Sequence, residues 1–115
     1  MENEITVNGV TYYAKNPANY EGLEYCIVRT YSAGVFAGYY KHHAGKEGTV
    51  FNARRLWYWS GANSLSQLAC EGVKNKSDCK FAMEVNSVFL TEVIEVIPCT
   101  NKAMDNIAEV PVWKQ

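Results

Sequence analysis

The sequence lacks long hydrophobic runs, and this absence excludes one class of protein at the outset. A transmembrane helix needs about 20 consecutive apolar residues, and the apolar runs here are far shorter. Residues 1–5 are acidic and carry no apolar stretch of the kind that a secretory signal requires. We therefore expect a soluble protein with no membrane partner, whose thiols stay reduced in a cytoplasm.

An excess of charge of either sign is also missing. Lysine and arginine together number 11 and the acidic residues 12, which gives a formal net charge of -1. Binding to duplex DNA depends on many cations that displace counterions from the phosphates. Extended duplex DNA is therefore not an expected partner, and any contact with single-stranded nucleic acid would have to be local.

Groups that carry metal or acid-base chemistry are scarce. The four cysteines, at positions 26, 70, 79 and 99, contain no CxxC pair and have no histidine at zinc-finger spacing, so we expect no metal and no other cofactor. His42 and His43 are adjacent, and adjacent strand residues point to opposite faces, so the two rings cannot act together. Apolar neighbours predict buried, structural thiols. These observations favour a protein without catalytic activity.

The sequence does contain a succession of short β-prone segments separated by turn-forming residues. Its 115 residues suit one domain. Strands are predicted at residues 23–31, 35–42, 49–59, 79–85, 88–97 and 110–113, an N-terminal hairpin at 4–13 around Asn8-Gly9, and helices at 64–73 and 100–107. Asn63 or Ser64 is the expected cap of the first helix, which Gly72 suits as its end, and Thr100 is the expected cap of the second. Gly38, inside a strand, indicates a bulge or a close backbone approach. The pattern predicts an α+β fold: a predominantly antiparallel β-sheet or small barrel with the N-terminal hairpin and two short helices.

The most distinctive stretch is residues 52–61, Asn-Ala-Arg-Arg-Leu-Trp-Tyr-Trp-Ser-Gly, which we call the Arg/Trp segment. Strict alternation along a strand places Phe51, Ala53, Arg55, Trp57 and Trp59 on one face, and Val50, Asn52, Arg54, Leu56 and Tyr58 on the other. One arginine therefore falls on each face. If one face is buried, its arginine must lie at the strand end or be paired, because a buried lone guanidinium is very costly.

Arginine beside aromatic rings is typical of sites that bind anionic ligands. Guanidinium groups bind phosphates and carboxylates, aromatic rings stack on bases, and the N-H groups at a helix start attract anions. The candidate ligand-binding residues are Arg54, Arg55, Trp57, Trp59, Arg29, Tyr31 and Ser64. A nucleotide-type or other anionic small molecule is the first expected partner. The same residue types anchor protein interfaces, so a protein-protein interaction module, or a homo-oligomer that modulates a host factor, is the alternative.

Residues 52–62, followed by Ser-Leu-Ser-Gln-Leu-Ala at 64–69 and Gly72-Val73, resemble a family of small phage and prophage proteins described only as a domain of unknown function. The resemblance extends from residues 25–30 through 79–81 and 97–100 to Val112-Trp113. It implies a virus-encoded accessory protein that acts in the cytoplasm of a bacterial host. The resemblance supplies no catalytic residues. A phage product of this kind could sequester a nucleotide signal of host immunity.

Overall fold

The structure is a computed structural model that describes residues 22–113. Its elements are β1 (Glu24–Thr30), β2 (Val35–His42), β3 (Gly48–Tyr58), α1 (Leu65–Glu71), a 3-10 turn (Lys76–Asp78), β4 (Lys80–Phe81), β5 (Val85–Leu90), β6 (Val93–Pro98) and α2 (Asn101–Glu109). The strand pairs within the described residues are all antiparallel, so the predicted α+β fold with a mainly antiparallel sheet and two short helices is confirmed. The predicted N-terminal hairpin at 4–13 lies outside the described residues. No helix within 22–113 has the length and apolar character needed to cross a membrane.

The six strands form an open, strongly curled sheet. Its order is β6-β1-β2-β3, and β4 and β5 both pair with the remaining edge of β3. In a flat sheet β5 and β6 would lie about 19 Å apart, at about 4.8 Å per strand. Only Thr91 and Glu92 join them, and three peptide units span at most about 11 Å. The sheet therefore has to curl, although within residues 22–113 no pairing joins β5 to β6 and closes a barrel.

Several element boundaries differ from the sequence prediction. The single strand predicted over 88–97 is two strands at opposite edges of the sheet. β5 pairs with β3, and β6 pairs with β1. The strand predicted over 79–85 is reduced to β4, and the edge strand predicted over 110–113 is one parallel bridge between Phe81 and Val112. These boundaries depend on pairing between distant segments, which local residue preferences do not encode.

The two predicted helices have the predicted caps. The Ser64 hydroxyl accepts a hydrogen bond from the Gln67 N-H at the start of α1, and the Thr100 hydroxyl accepts one from the Ala103 N-H at the start of α2. Gly72, with a φ of 76°, ends α1 in a conformation that favours glycine. Capping chemistry thus identified both helices from sequence alone.

Gly38 occupies the predicted bulge. The β2-β3 register shifts between Ala37 and Tyr39, and a Cβ atom on Gly38 would lie 2.6 Å from the Phe51 carbonyl oxygen. On β3, Asn52 takes a φ of 50°. This irregularity breaks the alternation of β3, because Val50 and Ala53 pack into the same cluster. The prediction that placed them on opposite faces is wrong.

Hydrophobic clusters lie on both faces of the sheet. The helix face carries the larger cluster, in which α1 and α2 pack on the sheet: Ile27, Ala37, Leu56, Leu68, Ala69, Val73, Cys79, Phe81, Ile107 and Val110. The inner face, inside the curl, carries Cys26, Val28, Phe36, Val50, Ala53 and Leu90. Val88 of β5 and Val93 of β6 pack on this second cluster from opposite edges of the sheet, which shows that the curl encloses it.

Candidate functional site

Arg54 lies on the helix face and is 5% exposed. Its Nε donates to the Ala82 carbonyl over 2.8 Å, its Nη1 donates to the Ile107 carbonyl over 2.7 Å, and its Nη2 donates to the Val110 carbonyl. The Ile107 carbonyl also accepts a hydrogen bond from the Val110 N-H. Carbonyls at the end of a helix carry its negative dipole, so a guanidinium suits them. The sequence left two options for a buried arginine, a strand end or a partner. Arg54 takes the second, with backbone oxygens as its partners. Arg54 joins α2 to β3.

A small cavity beside Arg54 is poorly suited to anions. It has a volume of about 160 Å³, and Tyr25 and Glu84 line it together with Arg54. Burial raises the pKa of the Tyr25 hydroxyl above its usual value, so this group is neutral at physiological pH. The Glu84 carboxylate in the same lining repels an anion, and the Arg54 donors already bind carbonyls. This cavity is therefore not the candidate site.

Arg55 faces the opposite side of the sheet and has a different environment. Its Cζ atom lies 4.7 Å from the Phe36 ring centroid and 5.4 Å from the Trp57 ring centroid, which are cation-π distances. Its Nε is buried, and within the described part of the chain no acceptor binds it. Trp57 leaves 57% of its surface exposed. The rings hold the guanidinium in position while part of its donor set stays unused.

A cavity of about 210 Å³ opens beside this guanidinium, and we call it the Arg55 cavity. It is lined by Phe36, Ala53, Arg55, Ala82, Met83, Val85 and Val88. Among these described residues Arg55 alone carries a charge. The cavity thus combines apolar walls with one fixed cation, an arrangement that can hold a single anionic group attached to an apolar or backbone portion.

The remaining predicted site residues lie elsewhere. Trp59 packs against the helix-face cluster, so the prediction that it shares a face with Trp57 is wrong; β3 ends at Tyr58, and alternation ends with it. The Arg29 Nε donates to Glu95 over 2.8 Å. Tyr31 lies exposed in the β1-β2 turn, and the Ser64 side chain caps α1. Of the predicted set, the structure brings Arg55 and Trp57 together and places the others apart.

Sequence reasoning missed most of the cavity wall. Phe36 was part of the strand predicted over 35–42, and nothing in that segment indicated a contact with Arg55. The contact arises because β2 pairs with β3. Ala82 and Met83 reach the site because the Ala82 N-H donates to the Arg55 carbonyl over 2.8 Å. Val85 reaches it because β5 pairs with β3 at Ala53. No local signal in the sequence identifies these long-range neighbours.

The cysteines differ in accessibility. Cys26 and Cys79 are buried and Cys99 is partly buried, but Cys70 is exposed, so the expectation of buried thiols is wrong for Cys70. Burial raises the pKa of the Cys26 thiol to about 11 and that of the Cys99 thiol to about 12. Within residues 22–113 no group of three or more histidine, cysteine or acidic residues is placed to hold a metal ion.

We expect one cysteine to react first with N-ethylmaleimide at pH 7, and peptide mass spectrometry should identify it as Cys70. Cys26 and Cys99 should react only after unfolding, because burial keeps both thiols protonated. Above pH 9 the unfolded chain loses thiol protons that the folded chain retains. The free energy of unfolding should therefore fall as the pH rises from 9 to the raised pKa values of Cys26, about 11, and Cys99, about 12. Rapid modification of Cys26 in the folded protein at pH 7 would contradict this assignment.

Fold and site together define a small α+β domain whose inner face holds a single-cation cavity next to a sheet edge. Residues 23–107 match the model of a family described as Domain of unknown function (DUF6948), and the chain belongs to that family. No curated protein and no solved structure matches the chain.

Proposed function

We propose that this is a binding protein without catalytic activity that captures an anionic group in the Arg55 cavity. The observation that carries the proposal is the Arg55 Nε, which is buried without an acceptor in the described part of the chain. An unsatisfied buried donor costs about 1–3 kcal/mol. An anionic oxygen in the cavity would bind this donor and neutralise the guanidinium. Phe36 and Trp57 already hold the cation in place, so little conformational freedom is lost when the anion binds.

A nucleotide-type ligand is one class that suits this arrangement. A phosphate oxygen would bind Arg55, and the base would stack on the exposed ring of Trp57. Clefts that enclose a whole small ligand usually measure about 300–1,000 Å³, whereas the Arg55 cavity measures about 210 Å³. The cavity therefore suits the phosphate alone, and the base would lie outside it on Trp57.

The proposed setting is the cytoplasm of a phage-infected bacterium. Support comes from the resemblance of the Arg/Trp segment and its flanking residues to small phage and prophage proteins. In that setting, capture of a host nucleotide signal would remove the signal without any chemical step. Such a role needs affinity and abundance, and it is consistent with a site that has one cation and no acid-base pair around it.

A protein-protein interaction module is the second candidate, and a separate observation favours it. Met83 is 67% exposed and Phe89 is 59% exposed, and both lie in or next to β5, which forms one wall of the Arg55 cavity. Met83 lines the Arg55 cavity, whereas Phe89 does not. Large exposed apolar side chains along one strand, with an arginine beside them, are typical of interface anchors. The partner would be a host protein or, in a homo-oligomer, a second copy of this chain.

Replacement of Arg55 by alanine should weaken anion binding by about 10- to 150-fold, the range that a charge-assisted hydrogen bond provides. The affinity of Arg55→Lys should lie between those of the wild type and Arg55→Ala, because lysine keeps the charge but lacks the planar donor set. Small molecules released from the heat-denatured protein would be identified by mass spectrometry. Calorimetric titration with the released compound, or with adenosine monophosphate and a cyclic dinucleotide, would then measure the affinity.

Arg29→Ala is the matched control for this experiment. Arg29 is also an arginine on a strand, but it is paired with Glu95 and lies outside the Arg55 cavity. We expect its affinity to equal that of the wild type. If Arg55→Ala binds every anionic compound as tightly as the wild type does, the Arg55 cavity is not the binding site.

A further inference from the structure

We propose that the Arg55 cavity and the outer edge of β5 form one docking surface for an extended, acidic segment of a partner protein. The segment would pair with β5 as an additional strand and place one carboxylate on Arg55. This inference rests on the proposed function, since the carboxylate is the anionic group in the Arg55 cavity. It adds the chemical class of the partner and the way the partner binds.

The outer edge of β5 is chemically open to strand addition. One side of β5 pairs with β3, and no strand within residues 22–113 pairs with its other side. Every second residue of an edge strand directs its N-H and C=O groups outward. Proteins usually protect such an edge with charged residues or proline. The β5 sequence, Val-Asn-Ser-Val-Phe-Leu, contains neither, whereas β6 carries Glu95 and ends at Pro98.

The open edge and the Arg55 cavity are adjacent. Val85, the first residue of β5, pairs with Ala53, two positions from Arg55. Val85 and Val88 both line the Arg55 cavity. In an added strand every second side chain points to the same face of the sheet. A side chain on the inner face of such a strand would therefore lie beside Val85 and Val88, at the opening of the cavity.

The lining of the cavity favours a single carboxylate on a peptide over a ligand with several phosphates. Arg55 is the one charged member of the described lining, and the other members are apolar. Arg54 and Arg29 cannot assist it, because their donors bind backbone carbonyls and Glu95 respectively. One aspartate or glutamate needs one guanidinium, and a volume of about 210 Å³ admits one side chain. A peptide also uses the β5 backbone, which a nucleotide leaves unpaired.

Exposed apolar side chains extend the surface on both sides of the added strand. Val85 and Met83 lie on the inner side with the Arg55 cavity. Val85 and Val88 share this side although they are three positions apart, because their partners Ala53 and Val50 pack into the same cluster. Phe89, 59% exposed, follows Val88 along the strand and therefore points to the opposite side. Residues on both faces of an incoming strand would thus meet apolar neighbours. Main-chain pairing with side-chain pockets on alternate positions is the usual basis of strand addition.

The test uses the full chain and a displayed library of random 12-residue peptides. We expect the selected peptides to share one aspartate or glutamate flanked by alternating β-branched or aromatic residues. A synthetic copy of the best peptide should bind at least about 30 times more weakly when its aspartate or glutamate is changed to asparagine or glutamine. The unchanged peptide should bind the Arg55→Ala variant more weakly than the wild type by at least about the same factor of 30. N-methylation of alternate peptide amides should abolish binding, and Arg29→Ala should bind as the wild type does.

Amide hydrogen exchange gives a direct readout of strand pairing. On binding of the peptide, the outward amides of Val85–Leu90 should exchange at least about tenfold more slowly, because they gain hydrogen bonds. Selection of peptides without a shared acidic position, or unchanged exchange along β5 in the complex, would overturn the inference. If Arg55-dependent binding of a nucleotide persists while β5 exchange stays unchanged, the partner class is wrong and the proposed function stands. If neither peptide binding nor nucleotide binding depends on Arg55, both the further inference and the proposed function are wrong.

Discussion

Replacement of Arg54 by methionine should lower the free energy of unfolding by about 3–5 kcal/mol. The substitution preserves much of the side-chain length but removes the Arg54 donors from the carbonyls of Ala82, Ile107 and Val110. Of these acceptors, Ile107 keeps the hydrogen bond from the Val110 N-H. Each buried polar group without a partner costs about 1–3 kcal/mol. Arg54→Lys should recover only part of the loss, because one ammonium group cannot reach three acceptors in this geometry. Urea unfolding followed by far-ultraviolet circular dichroism would measure both variants.

The neighbouring arginine supplies the control. Arg55→Met removes a guanidinium from the same strand, but within residues 22–113 its Nε has no acceptor to lose. We expect a change in unfolding free energy of about 1 kcal/mol or less. If Arg54→Met loses no more than Arg55→Met, the three carbonyl contacts do not stabilise the fold. The pair of variants thus separates the structural arginine from the proposed binding arginine.

Phe81→Ala should destabilise the protein by a similar amount, about 3–5 kcal/mol, because it leaves a cavity in the core. Phe81 is 0% exposed, and its ring lies 5.4 Å from the Arg54 Cζ atom. Phe89→Ala is the matched control, since that ring is 59% exposed and its removal leaves no internal void. We expect Phe89→Ala to change the unfolding free energy by about 0.5 kcal/mol or less. Equal losses in the two variants would contradict the assignment of Phe81 to the core.

The two large effects should not be additive. The Arg54 guanidinium contacts the Phe81 ring, and residues in contact usually show coupling energies of about 0.5–3 kcal/mol. The double variant Arg54→Met with Phe81→Ala should therefore lose less stability than the sum of the single variants. Simple additivity would indicate that the ring and the cation act independently.

Local chemistry made part of the fold predictable. Gly38 was expected at a bulge, and it occupies one where any side chain would meet the Phe51 carbonyl. Asn63 or Ser64 was expected to cap the first helix and Thr100 the second, and the caps are Ser64 and Thr100. In each case the cause lies within a few residues of the feature, so the sequence pattern contains it.

The remaining features depend on contacts between distant parts of the chain. The sequence predicted that a buried arginine lies at a strand end or is paired. Arg54 is paired, but its acceptors Ile107 and Val110 lie 53 and 56 positions away. Trp57 and Trp59 were placed on one face because alternation was extended past Tyr58, where β3 ends. The Arg55 cavity has walls from β2, β3 and β5 that only the folded sheet assembles. Residue types therefore indicated the candidate cations, and tertiary packing determined which of them adjoins the candidate cavity.

The position of β6 also has a consequence for the order of folding. β1, β2 and β3 follow one another along the chain and pair as consecutive hairpins, whereas β6 joins β1 through contacts such as Arg29 with Glu95, 66 positions apart. Closing so long a loop costs more chain entropy than forming a hairpin. The three-strand meander should thus form early, with β6 docking late. Until then the β1 edge stays unpaired, and the nascent chain is exposed to aggregation at that edge.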